Sequence, residues 1–204
     1  KLDIAIMVGG LEAFLKLLFY FFHERAWNKF KFGKKEITPF VLWFTGLPYS
    51  GKTTIADEVY ESLKERNLKV ERLDSKNIRE IFKELGFTRE EVNFHIKRVG
   101  HLASILERNG IIVIASFVSP YVESRKFIQN LSKNYVEVYM KAPLGISKQR
   151  HEERMEKSPL EGEGKSFPEE VFNLYEEPAS SDIVLDTKED GIDVCRDKVL
   201  NFIN

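Results

Sequence analysis

The stretch "WFTGLPYSGKTTIADEV", from Trp43 to Val59, decides the fold. It connects an apolar run at 40–46 to an amphipathic pattern at 52–66, which predicts a buried strand followed by a helix. The loop between them has the spacing of a phosphate-binding loop, carried by Gly46, Gly51, Lys52 and Thr53. At such a junction, backbone N–H groups and the helix N-terminus bind anionic oxygens. The sequence therefore predicts that this loop holds phosphate groups.

Two residues of the loop have specific predicted roles. Lys52 reaches the β and γ phosphates of a nucleotide and is a predicted catalytic residue, whereas the Thr53 hydroxyl ligates Mg²⁺. The loop residues predicted to bind ATP are Gly46, Leu47, Pro48, Tyr49, Ser50, Gly51, Lys52, Thr53 and Thr54. The loop alone does not separate a kinase from a GTPase, an ATPase or a nucleotide-binding regulator. The chain has no Asn-Lys-x-Asp guanine signature, which argues against the GTPases.

Apolar runs and amphipathic patterns alternate along the rest of the chain. Strands are predicted at 40–46, 69–74, 110–117, 135–142 and 181–187. Helices are predicted at 52–66, 76–84, 89–108, 119–131, 144–156 and 191–203. The inward-facing helix residues are Ile55, Val59, Leu63, Ile96, Val99, Leu102 and Leu106. This alternation predicts an α/β fold with a parallel sheet covered on both faces, and residues 157–168 are predicted to form a mobile surface segment.

Composition limits the classes of function. With 204 residues and 43% hydrophobic content, the chain can form one good-sized core plus a short appendage. Its 31 basic and 32 acidic side chains give a net charge of -1, so no overall field favours nucleic acid as a partner. Cys195 is the single cysteine and is predicted to be a buried thiol without a catalytic role. The chain begins with Lys1 rather than Met, which indicates a fragment or a processed form.

The most apolar run is Ile4 to Phe22, which nearly reaches the roughly 20 residues that cross a bilayer. Glu12 and Lys16 interrupt it four residues apart, so on a helix they share a face and can neutralise each other. A basic flank follows, typical of the cytoplasmic side of a membrane. The sequence predicts a membrane segment and linker at 1–36 and a cytoplasmic domain at 37–204. The alternative is an amphipathic helix packed on that domain or in an oligomer.

The N-terminal stretch "GLEAFLKLLFYFFHERAWNKFKFG" resembles the second half of a small predicted membrane domain of unknown function. The resemblance covers about the first 34 residues. It implies membrane attachment and no particular chemistry.

Nine segments occur in the order and at the spacing of a known enzyme family: "GLPYSGKTTIA", "RLDSKNIRE", "LGFTREE", "IKRVGHLA", "NGIIVIASFVSPY", "VEVYMKAPL", "SFPEE", "YEEP" and "IVLDT". From about residue 38 to 204 the chain resembles adenylylsulfate kinase, which phosphorylates the 3'-hydroxyl of adenosine 5'-phosphosulfate (APS) to give 3'-phosphoadenosine 5'-phosphosulfate (PAPS). The resemblance implies a P-loop nucleotide-kinase-like three-layer sandwich with a five-stranded parallel sheet. It also implies ATP and Mg²⁺ as cofactors, and the sequence leaves a homodimer open.

The resemblance assigns roles to further residues. Phe87 and Phe167 match two aromatic residues that enclose the adenine of the substrate between them. Arg150 matches the arginine that begins the lid and lies against the ATP base. The other matched substrate-binding residues are Asn77, Arg79, Arg98 and Ser119. Asp74 matches a catalytic carboxylate that could serve Mg²⁺, its water shell or the accepting hydroxyl.

The chain departs from the family pattern at several of these sites. Lys76 stands where the family has a second aspartate, thought to orient or deprotonate the accepting hydroxyl, and a lysine cation cannot accept that proton. Val92 and Val122 each replace an arginine, which removes two anion-binding groups, and His95 replaces an asparagine. The lid sequence also differs, as does the segment after Phe167.

Three functions are therefore compatible with the sequence. The first is phosphorylation of APS. The second is phosphorylation of another nucleotide or small hydroxyl compound, because of Lys76, Val92 and Val122. The third is a module that binds a nucleotide without turnover.

Overall fold

Five strands form one sheet whose neighbouring strands are all parallel. They are β1 (Val41–Gly46), β2 (Val70–Asp74), β3 (Ile112–Ser116), β4 (Tyr135–Lys141) and β5 (Ile183–Asp186). Their order across the sheet is β2-β3-β1-β4-β5, which confirms the predicted α/β fold with a five-stranded parallel sheet. Because the strands are parallel, all their carboxyl ends lie at one edge, where ligands of such folds bind.

The computed structural model describes residues 2–29, 38–81, 86, 88–157 and 170–203, without the side chains of 2–6, 26–29, 76, 79, 80, 155, 157, 170 and 171. The chain divides into two units, Lys1–Ile37 and Thr38–Asn204. Helices of the second unit are α2 (Lys52–Glu65), α3 (Ser75–Ile81), α4 (Arg89–Arg108), α5 (Val122–Leu131), α6 (Leu144–Lys157), α7 (Glu170–Asn173) and α8 (Ile192–Ile203). Phe87, Phe167 and residues 158–168 of the predicted mobile segment lie outside the described residues.

The core is built on both faces of the sheet. Alternate residues of the central strands, such as Trp43 and Ala115, pack with Ile96 and Val99 of α4 in one cluster. Leu42 lies on the opposite side of the pleat and is also fully buried. The buried residues of α2 include the predicted Ile55, Val59 and Leu63. Strands covered on both faces read as continuous apolar runs, which is why these segments were predictable.

Two local predictions need correction, and one short helix was not predicted. Leu102 was expected to face inward, but it is 38% exposed. The helix predicted from 119 begins only at Val122, because Ser119 has a φ of 39° and is followed by Pro120, whose ring disfavours helical geometry in the residue before it. Helix α7 was not predicted, since four residues are too few for a helical period to be recognised. The buried environment predicted for Cys195 is confirmed.

The N-terminal unit contains one long helix, α1 (Leu2–Lys29). Glu12 and Lys16 form the expected ion pair, with 2.6 Å between Nζ and Oε1, and the apolar side chains from Met7 to Phe22 are exposed. These apolar side chains are spread around the helix. The helix therefore lacks the single apolar face that an amphipathic helix would have. Among the residues that the structure describes, 4–22 included, no helix is long and apolar enough to cross a membrane.

Candidate active site

The phosphate-binding loop, Gly46–Thr53, follows the central strand β1 at the carboxyl edge of the sheet. Gly46 has a φ of 148°, and a Cβ atom there would lie 2.7 Å from the carbonyl oxygen of Met140 on β4. Gly51 has a φ of 92° directly before α2. Both glycines are therefore required by the backbone, one by close approach and the other by a left-handed conformation.

The Lys52 ammonium group lies inside the loop. Its Nζ donates to the carbonyl oxygens of Gly46 at 3.1 Å and Leu47 at 2.6 Å, and to Ser50 Oγ at 3.3 Å. These partners are neutral oxygens, and burial lowers the pKa of Lys52 from 10.5 to about 7. A buried ammonium group among neutral acceptors favours an anionic ligand that would supply the missing charge.

Thr53 and Thr54 are exposed at the start of α2, where Ile55 N–H already closes the first helical bond onto Gly51 O at 3.1 Å. The exposed Thr53 side chain and the half-buried Asp74 carboxylate at the end of β2 are oxygen donors. Among the described residues, no cluster of three or more His, Cys, Asp or Glu side chains forms a closed metal cage. This donor set fits Mg²⁺, which is commonly bound by one or two protein oxygens together with phosphates and water.

Asp74 lies opposite Ser116 in the pairing of β2 with β3. The Ser116 hydroxyl donates to Asp74 Oδ2 at 3.3 Å. In turn, Ser116 is paired with Phe44 of β1, two residues before Gly46. The sheet therefore brings the predicted catalytic carboxylate to the edge that carries the phosphate-binding loop.

The turn at 117–121 is held against β1 by a buried chain of hydrogen bonds. Trp43 Nε1 donates to Ser119 Oγ at 3.1 Å, Ser119 Oγ donates to Thr45 Oγ1 at 2.9 Å, and Thr45 Oγ1 donates to Val118 O at 3.0 Å. Since the Thr45 proton is used, the Tyr175 hydroxyl at 3.0 Å acts as a donor to Thr45 Oγ1. This chain stabilises the positive φ of Ser119 and leaves the Ser119 hydroxyl occupied within the protein.

Arg125 supports the same turn from α5. It is 3% exposed, and its guanidinium donates to Ser119 O and to Glu176 O, both at 2.7 Å. Its Nε lies 3.6 Å from Glu137 Oε2, and burial raises the pKa of Glu137. The arginine therefore joins the turn, the "YEEP" segment and β4 in one buried polar network.

We expect replacement of Tyr175 by phenylalanine to lower the free energy of unfolding by about 1 kcal/mol, because one buried hydrogen bond is lost. Burial raises the pKa of Tyr175, so its hydroxyl remains a donor at neutral pH. Denaturant unfolding of Tyr175→Phe, Thr45→Val and the double variant measures the coupling between the two groups. Fully additive losses would contradict the direct bond.

The predicted acceptor-side residues are distributed over α3 and α4. Asn77 is exposed on α3, where the side chain of Arg79 is outside the description. Arg98 is exposed on α4, with its guanidinium carbon 4.3 Å from the centre of the Phe94 ring. Helix α3 borders β2, and α4 borders both β2 and β3.

The departures from the family pattern have local structural roles. Val92 packs against the core cluster, and His95 is buried with its ring 6.2 Å from that of Phe117. Val122 N–H donates to Glu176 Oε2 at 2.8 Å. Glu91 and Thr88 form a capping box at the start of α4, and the hydrogen bonds from Thr88 lower the pKa of Glu91. These positions are therefore used to build α4 and α5.

Arg150 lies on α6 and is anchored to the end of β5. Its Nη2 donates to Thr187 O at 2.7 Å, and its Nη1 donates to Thr187 Oγ1 at 3.2 Å. The next residue, His151, places its ring 4.5 Å from the ring of Tyr49, which has a φ of 59° within the phosphate-binding loop. Helix α6 therefore contacts both the phosphate-binding loop and Thr187, the residue directly after β5.

Four contacts at the site were not predicted from sequence. They involve Arg125, Tyr175, Glu176 and His151. The "YEEP" segment was recognised as part of the family pattern, which was the available signal for Tyr175 and Glu176. No local pattern distinguished Arg125 or His151 from solvated helix residues.

A glycine–lysine loop follows β1, the central strand of the parallel sheet, and a carboxylate ends β2, two strands away. This arrangement defines a P-loop phosphotransferase. The sequence profile of the family described as Adenylylsulphate kinase matches residues 38–186. The chain belongs to the adenylylsulphate kinase family. Residues 1–28 match a second family, described as Predicted membrane protein.

Individual relatives agree with this assignment. A probable adenylyl-sulfate kinase of Pseudomonas aeruginosa is 39% identical over 155 residues, covering 76% of this chain and 72% of the relative. An adenylyl-sulfate kinase of Thermodesulfovibrio yellowstonii is 40% identical over 168 residues, covering 80% of this chain and 83% of the relative. The structure of the Mycobacterium tuberculosis APS kinase in complex with AMPPNP and APS has a TM-score of 0.70 and 26% identity, covering 81% of this chain and 98% of that one.

Proposed function

We propose that the chain transfers the γ-phosphoryl group of ATP to the 3'-hydroxyl of APS, giving PAPS and ADP. The observation that carries this proposal is the buried, uncompensated Lys52 ammonium group in a phosphate-binding loop of an adenylylsulphate kinase family member. Such a group stabilises the negative charge that develops on transferring phosphoryl oxygens.

The donor half consists of the loop and the α6 edge. Backbone N–H groups of the loop and the N-terminus of α2 bind the phosphates, and Lys52 leaves its carbonyl partners to reach the β and γ oxygens. Arg150, anchored on Thr187, lies against the ATP base. Thr53 and Asp74 would hold Mg²⁺, which neutralises charge on the phosphate oxygens when bound.

The acceptor half consists of residues that follow β2 and β3, together with Phe167 from the segment between β4 and β5. Phe87 and Phe167 enclose the adenine, and the matched polar residues Asn77, Arg79 and Arg98 bind the rest of the acceptor. Ser119, whose hydroxyl is occupied by Trp43 and Thr45, shapes the turn beside the acceptor. Guanidinium groups suit the oxygens of a phosphate or sulfate because they donate two parallel hydrogen bonds. Asp74 orients the hydroxyl or the metal's water shell at the carboxyl edge.

In the transfer step, a bond forms between the acceptor hydroxyl oxygen and the γ phosphorus, and the bond from the γ phosphorus to the β–γ bridging oxygen breaks. The electron pair of that bond leaves with ADP, and the hydroxyl proton passes to Asp74 or to water. Lys76 cannot take this proton at neutral pH, so positioning and charge stabilisation carry most of the rate.

Coupled turnover with MgATP and APS tests the proposal. We expect PAPS and ADP to form in equal amounts, with little product from a Lys52→Ala variant. Absence of product above that variant would exclude APS as the acceptor.

A second acceptor class is favoured by one observation. Val122 stands where the family has an arginine, and its backbone N–H donates to Glu176 Oε2 at 2.8 Å. Loss of that guanidinium group weakens recognition of a sulfate or phosphate and favours an uncharged hydroxyl compound. Screening nucleosides, nucleotides and small polyols for ADP release separates this function from the first. Tight ATP binding without transfer to any acceptor would indicate a nucleotide-binding module.

The kinase unit is proposed to work in the cytoplasm, where ATP is available, with residues 4–22 attached to a membrane. The exposed apolar side chains of α1 and the match of residues 1–28 support attachment. We expect the full chain to float with lipid vesicles, and a chain lacking 1–37 to remain in the soluble fraction. Recovery of the full chain without detergent or lipid would contradict the tether. Light scattering of the truncated chain would test whether it forms the homodimer that the sequence leaves open.

A further inference from the structure

Arg72 connects three elements at the carboxyl edge of the sheet. Its side chain is 11% exposed, and its Nε donates to Asp57 Oδ1 of α2 at 2.9 Å. Nη1 donates to the carbonyl oxygens of Leu73 at 2.9 Å and Ile114 at 3.2 Å. Nη2 donates to Ser116 Oγ at 2.7 Å. A single guanidinium group therefore links α2, β2 and β3.

The direction of these hydrogen bonds is determined by chemistry. An arginine has donors and no acceptor, so Ser116 Oγ must accept from Arg72. The single proton of Ser116 is then directed elsewhere, and Asp74 Oδ2 accepts it at 3.3 Å. Arg72 Nη2 also lies 3.8 Å from the same carboxylate oxygen. Arg72 thus acts on Asp74 both directly and through the serine hydroxyl.

Asp74 lies where the sheet itself restrains it from one side. Strand β2 is at the edge of the sheet, so its last residue is paired on one side, with Ser116 of β3. Arg72 and Asp74 are two residues apart and point to the same face of β2. Through Asp57, the same guanidinium reaches α2, whose first two residues are Lys52 and Thr53.

We infer that Arg72 is a positioning residue that sets the orientation of Asp74 relative to the phosphate-binding loop, acting through Ser116 and tied to α2 by Asp57. The inference rests on the proposed function for the catalytic role of Asp74. It goes beyond that function because it identifies which buried cation determines where the carboxylate lies. Without Arg72, Ser116 loses a donor and Asp74 loses a neighbour that restricts its rotation.

The kinetic test compares Arg72→Met in two backgrounds of the full chain. In the wild-type background we expect kcat to fall about tenfold, because hydrogen bonds to a charged group are lost, with the KM for ATP changing less than about twofold. In an Asp74→Asn background we expect no further fall in kcat. Arg72→Lys should recover part of the loss, since its ammonium can donate to Ser116 but cannot span all four partners.

The matched control is Arg196→Met, since Arg196 also lies near an α2 carboxylate, 3.8 Å from Glu58 Oε2. Its other ion pairs in the described part of the chain are with the exposed Asp193 and Asp197 of α8. It should keep wild-type kcat. An equal fall in both backgrounds, or wild-type kcat in Arg72→Met, would overturn the inference and leave Arg72 a purely structural residue.

A second measurement does not depend on turnover. In protein labelled with ¹³C at aspartate carboxyl carbons, the Asp74 signal, identified with Asp74→Asn, should move in both Arg72→Met and Ser116→Ala and stay in place in Arg196→Met. An unchanged Asp74 signal in Arg72→Met would overturn the inference even in an active enzyme. A chain inactive toward every acceptor, with the Asp74 signal moved, would instead reject the proposed function and keep the contact.

Discussion

Replacing Lys52 by methionine is expected to lower kcat by about 10²- to 10³-fold, the usual loss when one preorganised charge-stabilising donor is removed. The structure supplies the reason, because Lys52 is the cation buried within the loop, with donors directed at Gly46 O and Leu47 O. Methionine preserves the length and much of the volume of the side chain but has no donor. Steady-state turnover with MgATP and the accepted acceptor measures the loss.

The control is Lys64→Met, because Lys64 lies in the last turn of the same helix and is exposed. It should keep wild-type kcat. Circular dichroism and thermal unfolding establish that Lys52→Met is folded under the assay conditions. A folded Lys52→Met protein with more than a tenth of wild-type kcat would show that Lys52 does not stabilise the transferring phosphoryl group.

Nucleotide binding above neutral pH is expected to take up a proton. Burial lowers the pKa of Lys52 to about 7 in the free protein, so at pH 8 the side chain is mostly neutral. Phosphate oxygens favour the ammonium form and raise the pKa again. With a free pKa of about 7, binding at pH 8 should take up about 0.9 protons, and affinity should fall about tenfold for each further unit of pH.

The lowered pKa of Lys52 also makes the free energy of unfolding depend on pH. An unfolded lysine keeps its ordinary pKa of 10.5, so between pH 7 and that value the unfolded chain binds more protons than the native chain. The stability contribution of Lys52 should therefore improve as pH rises through this window. Below pH 7 both states are protonated, and the full cost of the buried ammonium group remains.

Calorimetric titration with AMPPNP in buffers of different ionisation enthalpy measures the proton uptake directly. The terminal phosphate of the nucleotide also titrates near neutral pH, so the contribution of Lys52 is the difference in slope of observed enthalpy against buffer enthalpy between wild type and Lys52→Met. That difference should be near zero at pH 6 and close to one proton at pH 8.5, and Lys64→Met should match the wild type. Uptake that is equal in wild type and Lys52→Met would assign the proton to another group.

Much of the architecture could be predicted because the positions of strands and helices follow from local patterns of apolar residues. Continuous β-branched runs identify strands buried on both faces, and the helical period placed Ile55, Val59 and Leu63 inward. The start of α5 could not be placed, because the positive φ of Ser119 depends on its partners Trp43 and Thr45, which lie more than 70 residues away. Leu102 fits the helical period but lies at the edge of the buried face.

The loop and the residue types of the site were accessible from sequence, whereas the partners of those residues were not. Tyr175 and Thr45 are 130 residues apart, and no pattern in either segment specifies their contact. Arg72 is similar, since an arginine in an edge strand is ordinarily solvated. Only the packing of α2 beside β2 shows that its guanidinium is enclosed.

The strand order separates the residues for ATP from most of the residues for the acceptor, which affects how substrate specificity can evolve. Strand β1 carries the phosphate-binding loop at the centre, with β3 and β2 on one flank and β4 and β5 on the other. Most of the proposed acceptor residues, those from β2, α3, α4 and the turn before α5, belong to the first flank, whereas Phe167 comes from the segment between β4 and β5. Arg150 with Thr187 belongs to the second flank. Lys76, Val92 and Val122 all lie on the first flank. In evolution, a lineage with this layout can therefore exchange one substrate for another while its use of ATP is inherited intact.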